Sequence, residues 1–141
     1  MTELTAFDAD VLIYAATRGH PLGAKVLGLF RAADAAGQSA GVGSVLLLGE
    51  VLTKPLRADP GSAESVALLG LLSRLSLKPL DEPTAQLALA LGVSYGLGAA
   101  DAAHLGTAIS AGAARFLTNN RRDFATSISE IDIVYPDLLP D

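Results

Sequence analysis

The sequence predicts an α/β fold, a central parallel sheet of about five strands between two layers of helices. Short apolar runs alternate along the chain with longer segments whose apolar residues recur at helical spacing. Because parallel neighbours need crossover connections, strands separated by helices favour a parallel sheet. The chain has 141 residues, of which 50% are apolar, enough to bury a full core in one domain. We therefore expect one three-layer α/β/α domain over residues 1–141.

The strands are predicted where short apolar runs meet turn residues. The first of them ends at Asp8, and another ends just before a polar segment that begins at Thr118. In an open parallel sheet, ligands bind beyond the carboxyl ends of the strands, where the strand order reverses. The predicted strands are residues 4–7, 40–43, 77–80, 115–118 and 131–135.

The helices are predicted from apolar spacing and from their end residues. Pro21 suits a first helical position, Ser44 is expected to cap the next helix, and Pro55 is expected to end it in a loop over residues 55–62. The helix at 63–75 is apolar around most of its circumference, which predicts burial on several sides or a partner surface. The predicted helices are residues 11–16, 21–36, 45–53, 63–75, 82–95 and 99–111.

Composition excludes several classes of protein. The sequence has no cysteine, which excludes disulfides, Cys-based zinc sites and thiol nucleophiles. It shows neither a basic secretory leader nor a bilayer-length apolar stretch, so we expect a cytoplasmic protein. Because the formal charge is −5, the protein can bind nucleic acid only through local groups of cations. The candidate cations are Lys54, Arg57, Arg121 and Arg122, which could equally be solvated surface residues.

Isolated acids on apolar segments are the candidates for chemistry. Asp8 and Asp10 follow a predicted buried strand, although Asp10 could simply cap the next helix. Glu50 lies in a leucine-rich helix, where a buried carboxylate must be protonated, paired or bound to metal, and Lys54 one turn on is the simple pairing partner. Asp101, among small residues, could hold a metal or serve as an N-cap.

The histidines have weaker claims than the acids. A single histidine such as His104 is more often a packed core residue than a ligand, and His20, in a loop before a proline, has less claim still. Residues 118–124 concentrate polar groups, including Thr118, Asn119 and Asn120, in a turn after a strand. That segment is either part of a site or simply a polar loop.

Together, these segments resemble the PIN-domain ribonucleases. The resemblance is carried by Phe7-Asp8-Ala9-Asp10-Val11-Leu12-Ile13-Tyr14, by Glu50 in its leucine-rich helix, by Asp101-Ala-Ala-His-Leu and by Leu117-Thr118-Asn119-Asn120-Arg121-Arg122-Asp123-Phe124. Their order and spacing match over essentially the whole chain. The most similar subfamily is that of the VapC toxins of bacterial toxin-antitoxin pairs.

The resemblance implies a metal-dependent endoribonuclease. Asp8, Glu50 and Asp101 would be the ligands of Mg²⁺ or Mn²⁺, and the late polar loop would complete the catalytic site through Asn120 or Asp123. Asp10, Thr118 and Asn119 would support it. The sequence departs from the family pattern at Asn120, where an acid is common, and at Asp10, which replaces an Asn or Ser. The resemblance also implies an RNA substrate, a VapB-like antitoxin and a homodimer.

Two other functions compete with this one. Asp8-Ala9-Asp10-Val11 after an apolar strand also fits a haloacid-dehalogenase-like phosphohydrolase, but a convincing late acidic pair for Mg²⁺ is missing. A PIN-like module that binds RNA or protein without cleavage would be consistent with Asn120 and the acidic charge.

Overall fold

The computed structural model describes residues 3–141, and its elements alternate as the sequence predicts. The strands are β1 (Thr5–Phe7), β2 (Gly41–Ser44), β3 (Leu75–Lys78), β4 (Arg115–Leu117) and β5 (Asp132–Val134). The helices are α1 (Ala9–Ala16), α2 (Pro21–Ala35), α3 (Leu46–Ala58), α4 (Ala63–Ser73), α5 (Glu82–Tyr95) and α6 (Ala99–Ser110), followed by a 3-10 turn at Pro136–Leu138. None of the helices within residues 3–141 has the length and apolar character needed to cross a bilayer.

All five strands form one parallel sheet in the order β3-β2-β1-β4-β5. The chain builds outward from β1 through β2 to β3, and then returns to the other side of β1 to form β4. Strand order therefore reverses between β1 and β4, where Phe7 and Leu117 are in register. This is the place where a parallel sheet opens a crevice for ligands.

Helices cover both faces of the sheet, because strand residues alternate between two core clusters. In β1, Phe7 packs with α1 to α4 on one face, whereas Ala6 packs with residues of α5 and α6 on the other. In β4, Leu117 and Phe116 divide in the same way. This alternation follows from the two-residue period of a strand. The predicted three-layer α/β/α arrangement with about five parallel strands is confirmed.

Two predicted boundaries are wrong. The loop was expected over 55–62, but its predicted start is too early, because α3 continues through Pro55 to Ala58. Leu56 packs against the core there, so apolar burial offsets the hydrogen bond that proline cannot make. The strand expected at 77–80 is Leu75–Lys78, and α4 ends at Ser73, because Leu75 pairs with Gly41 of β2.

Ser44 and α4 also differ in detail from expectation. Ser44 is the last residue of β2, and its hydroxyl accepts a hydrogen bond from the amide of Leu46 at 3.1 Å, although Val45 is the N-cap residue. On α4, Leu68 is buried, but Val66 is 60% exposed and Leu69 45% exposed. Burial on several sides is therefore wrong, and an exposed apolar strip remains on this helix.

Candidate functional site

Asp8 stands at the crevice between β1 and β4. It is the N-cap of α1 and follows β1 directly, and its side chain is buried. One carboxylate oxygen accepts from the amide of Ala9 and the other from the hydroxyl of Thr118, both at 2.8 Å. Burial raises the pKa of Asp8, while these two hydrogen bonds act in the opposite direction. A buried carboxylate held by neutral donors retains an unmet demand for positive charge.

Asp10 lies in the first turn of α1 rather than at its cap, so the alternative of a capping role is wrong. Its Oδ2 accepts from the backbone amide of Asn119 at 3.0 Å, whereas its Oδ1 is buried and has no hydrogen-bond partner. Burial, followed by the charge of Asp8, raises the pKa of Asp10 to about 6. Asp8 and Asp10 therefore concentrate negative charge in a partly buried place, and the hydrogen bonds that they accept there come from neutral donors.

Asp101 joins these acids from α6. It lies in the first turn of this helix, whose N-cap is Gly98, so the alternative of an N-cap role for Asp101 is also wrong. Burial raises the pKa of Asp101, and the next largest causes are the charges of Asp8 and Asp123. The charges of acids more than ninety residues apart in the sequence therefore act on one another.

Glu50 contacts His104 rather than the expected Lys54. Its Oε1 lies 3.0 Å from Nε2 of His104, which is buried on α6, and the Glu50 side chain is 35% exposed. The two groups are close but not aligned as a hydrogen bond, and Nδ1 of His104 also has no partner. His104 is a packed core residue, as expected. Its contact with Glu50 was not anticipated. His104 lies three residues after Asp101 and so on the same face of α6, which could have suggested that it faces the other acids.

The segment after β4 is organised by its own hydrogen bonds. The Asn120 side chain donates to Asp123 Oδ2 at 2.9 Å and accepts from the Asp123 amide at 3.3 Å. This side-chain hydrogen bond is the main cause that lowers the pKa of Asp123. The backbone amide of Asn120 donates to the Thr118 hydroxyl at 3.1 Å. Asn120 therefore orients both Asp123 and Thr118, and the charge of Asp123 acts on Asp101.

The four candidate cations differ in how free they are. Arg121 pairs with Asp137 at 2.5 Å and lies 4.2 Å from the centroid of the Tyr135 ring. Arg122 has a side chain that is 90% exposed and lies 3.5 Å from Asp123. Lys54 and Arg57 are exposed on α3, and Lys54 lines a groove with Glu50. Arg121 is held more closely by its acidic partner than Arg122 is, so Arg122, Lys54 and Arg57 are better placed to meet a phosphate.

The donor chemistry of the acidic cluster fits a hard divalent cation. Oxygen ligands are what Mg²⁺ prefers, and the carboxylates of Asp8, Asp10 and Asp101 destabilise one another's charged forms. The buried Oδ1 of Asp10, which has no hydrogen-bond partner, also favours binding of a cation. Within residues 3–141, no three His, Asp or Glu side chains are close enough together to form a ready cage, and Glu50 is turned to His104. Binding would therefore require side-chain rotations.

Comparison with solved structures shows the fold. A chain of a toxin-antitoxin complex from Klebsiella pneumoniae is 23% identical with a TM-score of 0.70, covering 94% of this chain and 97% of the other. A chain of VapBC2 from Rickettsia felis, bound to a promoter DNA fragment, is 17% identical with a TM-score of 0.71, covering 94% and 98%. A chain of DNA-bound VapBC from Salmonella typhimurium is 19% identical with a TM-score of 0.65, covering 96% and 99%.

Comparison at the level of sequence families is more specific. No curated protein matches the chain. The PIN domain family matches residues 6–127, a range that contains most of β1, all of β4 and all the candidate acids. The chain belongs to the PIN-domain family.

Proposed function

We propose that this protein is a metal-dependent endoribonuclease and the toxin of a type II toxin-antitoxin pair, acting in the cytoplasm as a single PIN domain. PIN domains are generally nucleases, and several structural neighbours come from toxin-antitoxin complexes. The observation that carries the proposal is the cluster of Asp8, Asp10 and Asp101 at the β1–β4 crevice, where burial raises the pKa of each carboxyl group and the charge of Asp8 adds to the rise at Asp10 and Asp101. Such a cluster destabilises the folded protein without a cation and is suited to binding one.

Asp8, Glu50 and Asp101 would hold Mg²⁺ or Mn²⁺. The bound ion would acidify a water molecule and offset the charge that develops on the phosphate during hydrolysis. Thr118 keeps one Asp8 oxygen in place, and Glu50 would turn from its contact with His104 to reach the ion. Asn120 and Asp123 are fixed to each other, so they add a polar, negatively charged wall rather than a mobile acid.

The RNA substrate follows from the family resemblance and is compatible with the surface. The net charge of −5 disfavours general attraction to a polyanion, so binding would depend on local cations. Lys54 lies in the same groove as Glu50, and Arg122 projects into solvent beside Asp123. These side chains would contact backbone phosphates on two sides of the acidic cluster.

A VapB-like antitoxin would bind the apolar strip on α4. Val66 and Leu69 are exposed there, and a groove between helices is lined by residues that include Ala24 of α2 and Ala63 and Ala67 of α4. A homodimer could use α5, where Leu89 is 69% exposed. Light scattering of the protein alone and after co-expression with the product of the neighbouring gene tests both; a monomer in each case would contradict both partners.

The decisive experiment compares the parent with Asp8→Asn and with Asp132→Asn, which alters an exposed acid at the start of β5. Each protein is incubated with labelled total RNA and with Mg²⁺, Mn²⁺ or chelator. We expect discrete bands from the parent and from Asp132→Asn, only with metal, and none from Asp8→Asn. Full cleavage in chelator, or by Asp8→Asn, would refute the mechanism.

The same experiment separates the competing functions. RNA that is bound at saturating Mn²⁺ but stays intact would favour a binding module, a possibility consistent with an amide rather than an acid at Asn120. Turnover of a generic phosphomonoester, lost in Asp8→Asn, would favour a phosphohydrolase. The PIN-family match already favours RNA cleavage over the latter.

A further inference from the structure

We propose that Tyr14 is a positioning residue of the acidic site, whose hydroxyl fixes Asn119 so that the segment 118–120 holds Asp8 and Asp10 in place for metal binding. This inference rests on the proposed function, since it concerns the same acids. Tyr14 does not itself reach the carboxylates. It acts through Asn119.

Asn119 donates hydrogen bonds to two residues of α1 that lie one helical turn apart. Its backbone amide donates to Asp10 Oδ2 at 3.0 Å, and its side-chain amide donates to the Tyr14 hydroxyl at 3.2 Å. Because residues four apart lie on one face of a helix, Asp10 and Tyr14 present both acceptors side by side. Two contacts restrain the rotation of the loop about α1, which a single contact would permit.

The Tyr14 ring is itself held by α2. It stacks on the imidazole of His20, with ring centroids 4.3 Å apart and planes 9° from parallel. His20 is the N-cap of α2, and its Nδ1 accepts from the amides of Leu22 and Gly23, both at 3.2 Å. The position of the Tyr14 hydroxyl is therefore set by the packing of two helices rather than by a free rotamer.

The chain of contacts continues from Asn119 to Asp8. Thr118, the preceding residue, donates to Asp8 at 2.8 Å and accepts from the Asn120 amide at 3.1 Å. The segment 118–120 thus touches α1 and its N-cap at Asp8, Asp10 and Tyr14. Tyr14 supplies the outermost of these contacts, so loss of its hydroxyl would loosen the whole segment without removing an acid.

The test is Tyr14→Phe, which keeps the ring and its stacking on His20 but removes the hydroxyl. The matched control is Tyr95→Phe, which removes a hydroxyl bonded to Glu130 outside the site. Mn²⁺ affinity is measured by calorimetry and by the Mn²⁺-dependent rise in Tm, with RNA cleavage as a separate measurement. We expect about 10-fold weaker Mn²⁺ binding in Tyr14→Phe, as is common when a residue supporting a metal ligand is changed. We expect unchanged Mn²⁺ binding in the control, and an unchanged KM for RNA at saturating Mn²⁺ in both.

Asn119→Ala tests the same hydrogen bond from its other end, since its backbone amide still reaches Asp10. If Tyr14 acts through Asn119, the double variant should bind Mn²⁺ no more weakly than the poorer single variant. Additive losses would overturn the proposal, and so would a Tyr14→Phe protein with a lower Tm but parental Mn²⁺ affinity, because that pattern marks a purely structural residue.

The two proposals fail in different ways. A parent that binds Mn²⁺ but cleaves no RNA would refute the nuclease, while the Mn²⁺ affinities would still decide the role of Tyr14. A parent that cleaves RNA, with Tyr14→Phe equal to it in Mn²⁺ affinity, would refute the positioning role alone. A parent that neither binds Mn²⁺ nor cleaves RNA would overturn both.

Discussion

Replacing Asp10 by asparagine should stabilise the metal-free protein at neutral pH. In the folded protein the pKa of Asp10 rises from 3.8 to about 6 through burial and the charge of Asp8. Between these pH values the folded state binds more protons than the unfolded state, so the stability of the parent falls as pH rises through this window. The side-chain oxygen of Asn can still accept a hydrogen bond from the backbone amide of Asn119, and the side chain carries no charge.

The magnitude follows from the pKa difference. A rise of about 2 units corresponds to about 3 kcal/mol at 1.36 kcal/mol per unit. Because Asp10 is partly exposed, solvent screening reduces this to about 2 kcal/mol. For a chain of this size that is a gain of about 6 °C in Tm for Asp10→Asn above pH 7. Well below pH 3.8 the carboxyl group is neutral in both states, and this difference should vanish.

The assay is thermal unfolding in chelator from pH 4 to pH 8, for the parent, Asp10→Asn and the exposed control Asp132→Asn. A gain confined to Asp10→Asn and growing between pH 4 and pH 7 supports the reasoning. Added Mn²⁺ should reverse the order, because the parent then has a cation to neutralise its acids. A gain that is the same at every pH, or a loss at pH 7.5, would show that burial of charge at Asp10 is not what limits stability.

Three further outcomes are expected. Thr118→Val removes a buried donor to a carboxylate and should cost about 2 kcal/mol in urea unfolding, and a cost near zero would mean that water replaces the hydroxyl. Gly23→Ala would place a Cβ 2.0 Å from a backbone carbonyl oxygen of α1, so it should unfold at lower urea concentration, whereas Gly28→Ala, with open space around it, should be slightly stabilising. Arg122→Ala should lower the salt dependence of RNA binding by about 0.7 in log-log slope, and Arg121→Ala should change it less, because Asp137 lies closer to Arg121 than Asp123 lies to Arg122; equal slopes in a filter-binding assay would contradict this difference.

Much of the fold was predictable because its cause is local. Apolar alternation in the strands and spacing in the helices depend on near neighbours, and Pro21 marks the start of α2 as expected. The boundaries that failed depend on distant partners. Pro55 is tolerated within α3 because Leu56 meets the core, and Leu75 becomes a strand residue because Gly41 lies opposite it. Neither the core around Leu56 nor the pairing of Leu75 with Gly41 can be seen in the local sequence.

The candidate site was predictable to a similar degree. Asp8 and Asp101 could be chosen because charged groups are rare on apolar elements and the strand ends of a parallel sheet converge. The partners of these acids could not be read from spacing. Glu50 meets His104 of another helix instead of Lys54 on its own, and Arg121 is taken up by Asp137. Such pairs are decided by which side chains the packing places within a few ångströms.

Periodicity and side-chain acidity belong to the chain, so the fold class and the residue types available for chemistry follow from the sequence alone. Which groups act on one another depends on the folded structure. It made Asp8 the cap of α1, left Asp10 Oδ1 buried without a partner, and linked Tyr14 to the acids through Asn119. The physical reason is that burial and electrostatic coupling depend on distances through space, and those distances are set when β1 and β4 pair across more than a hundred residues of chain.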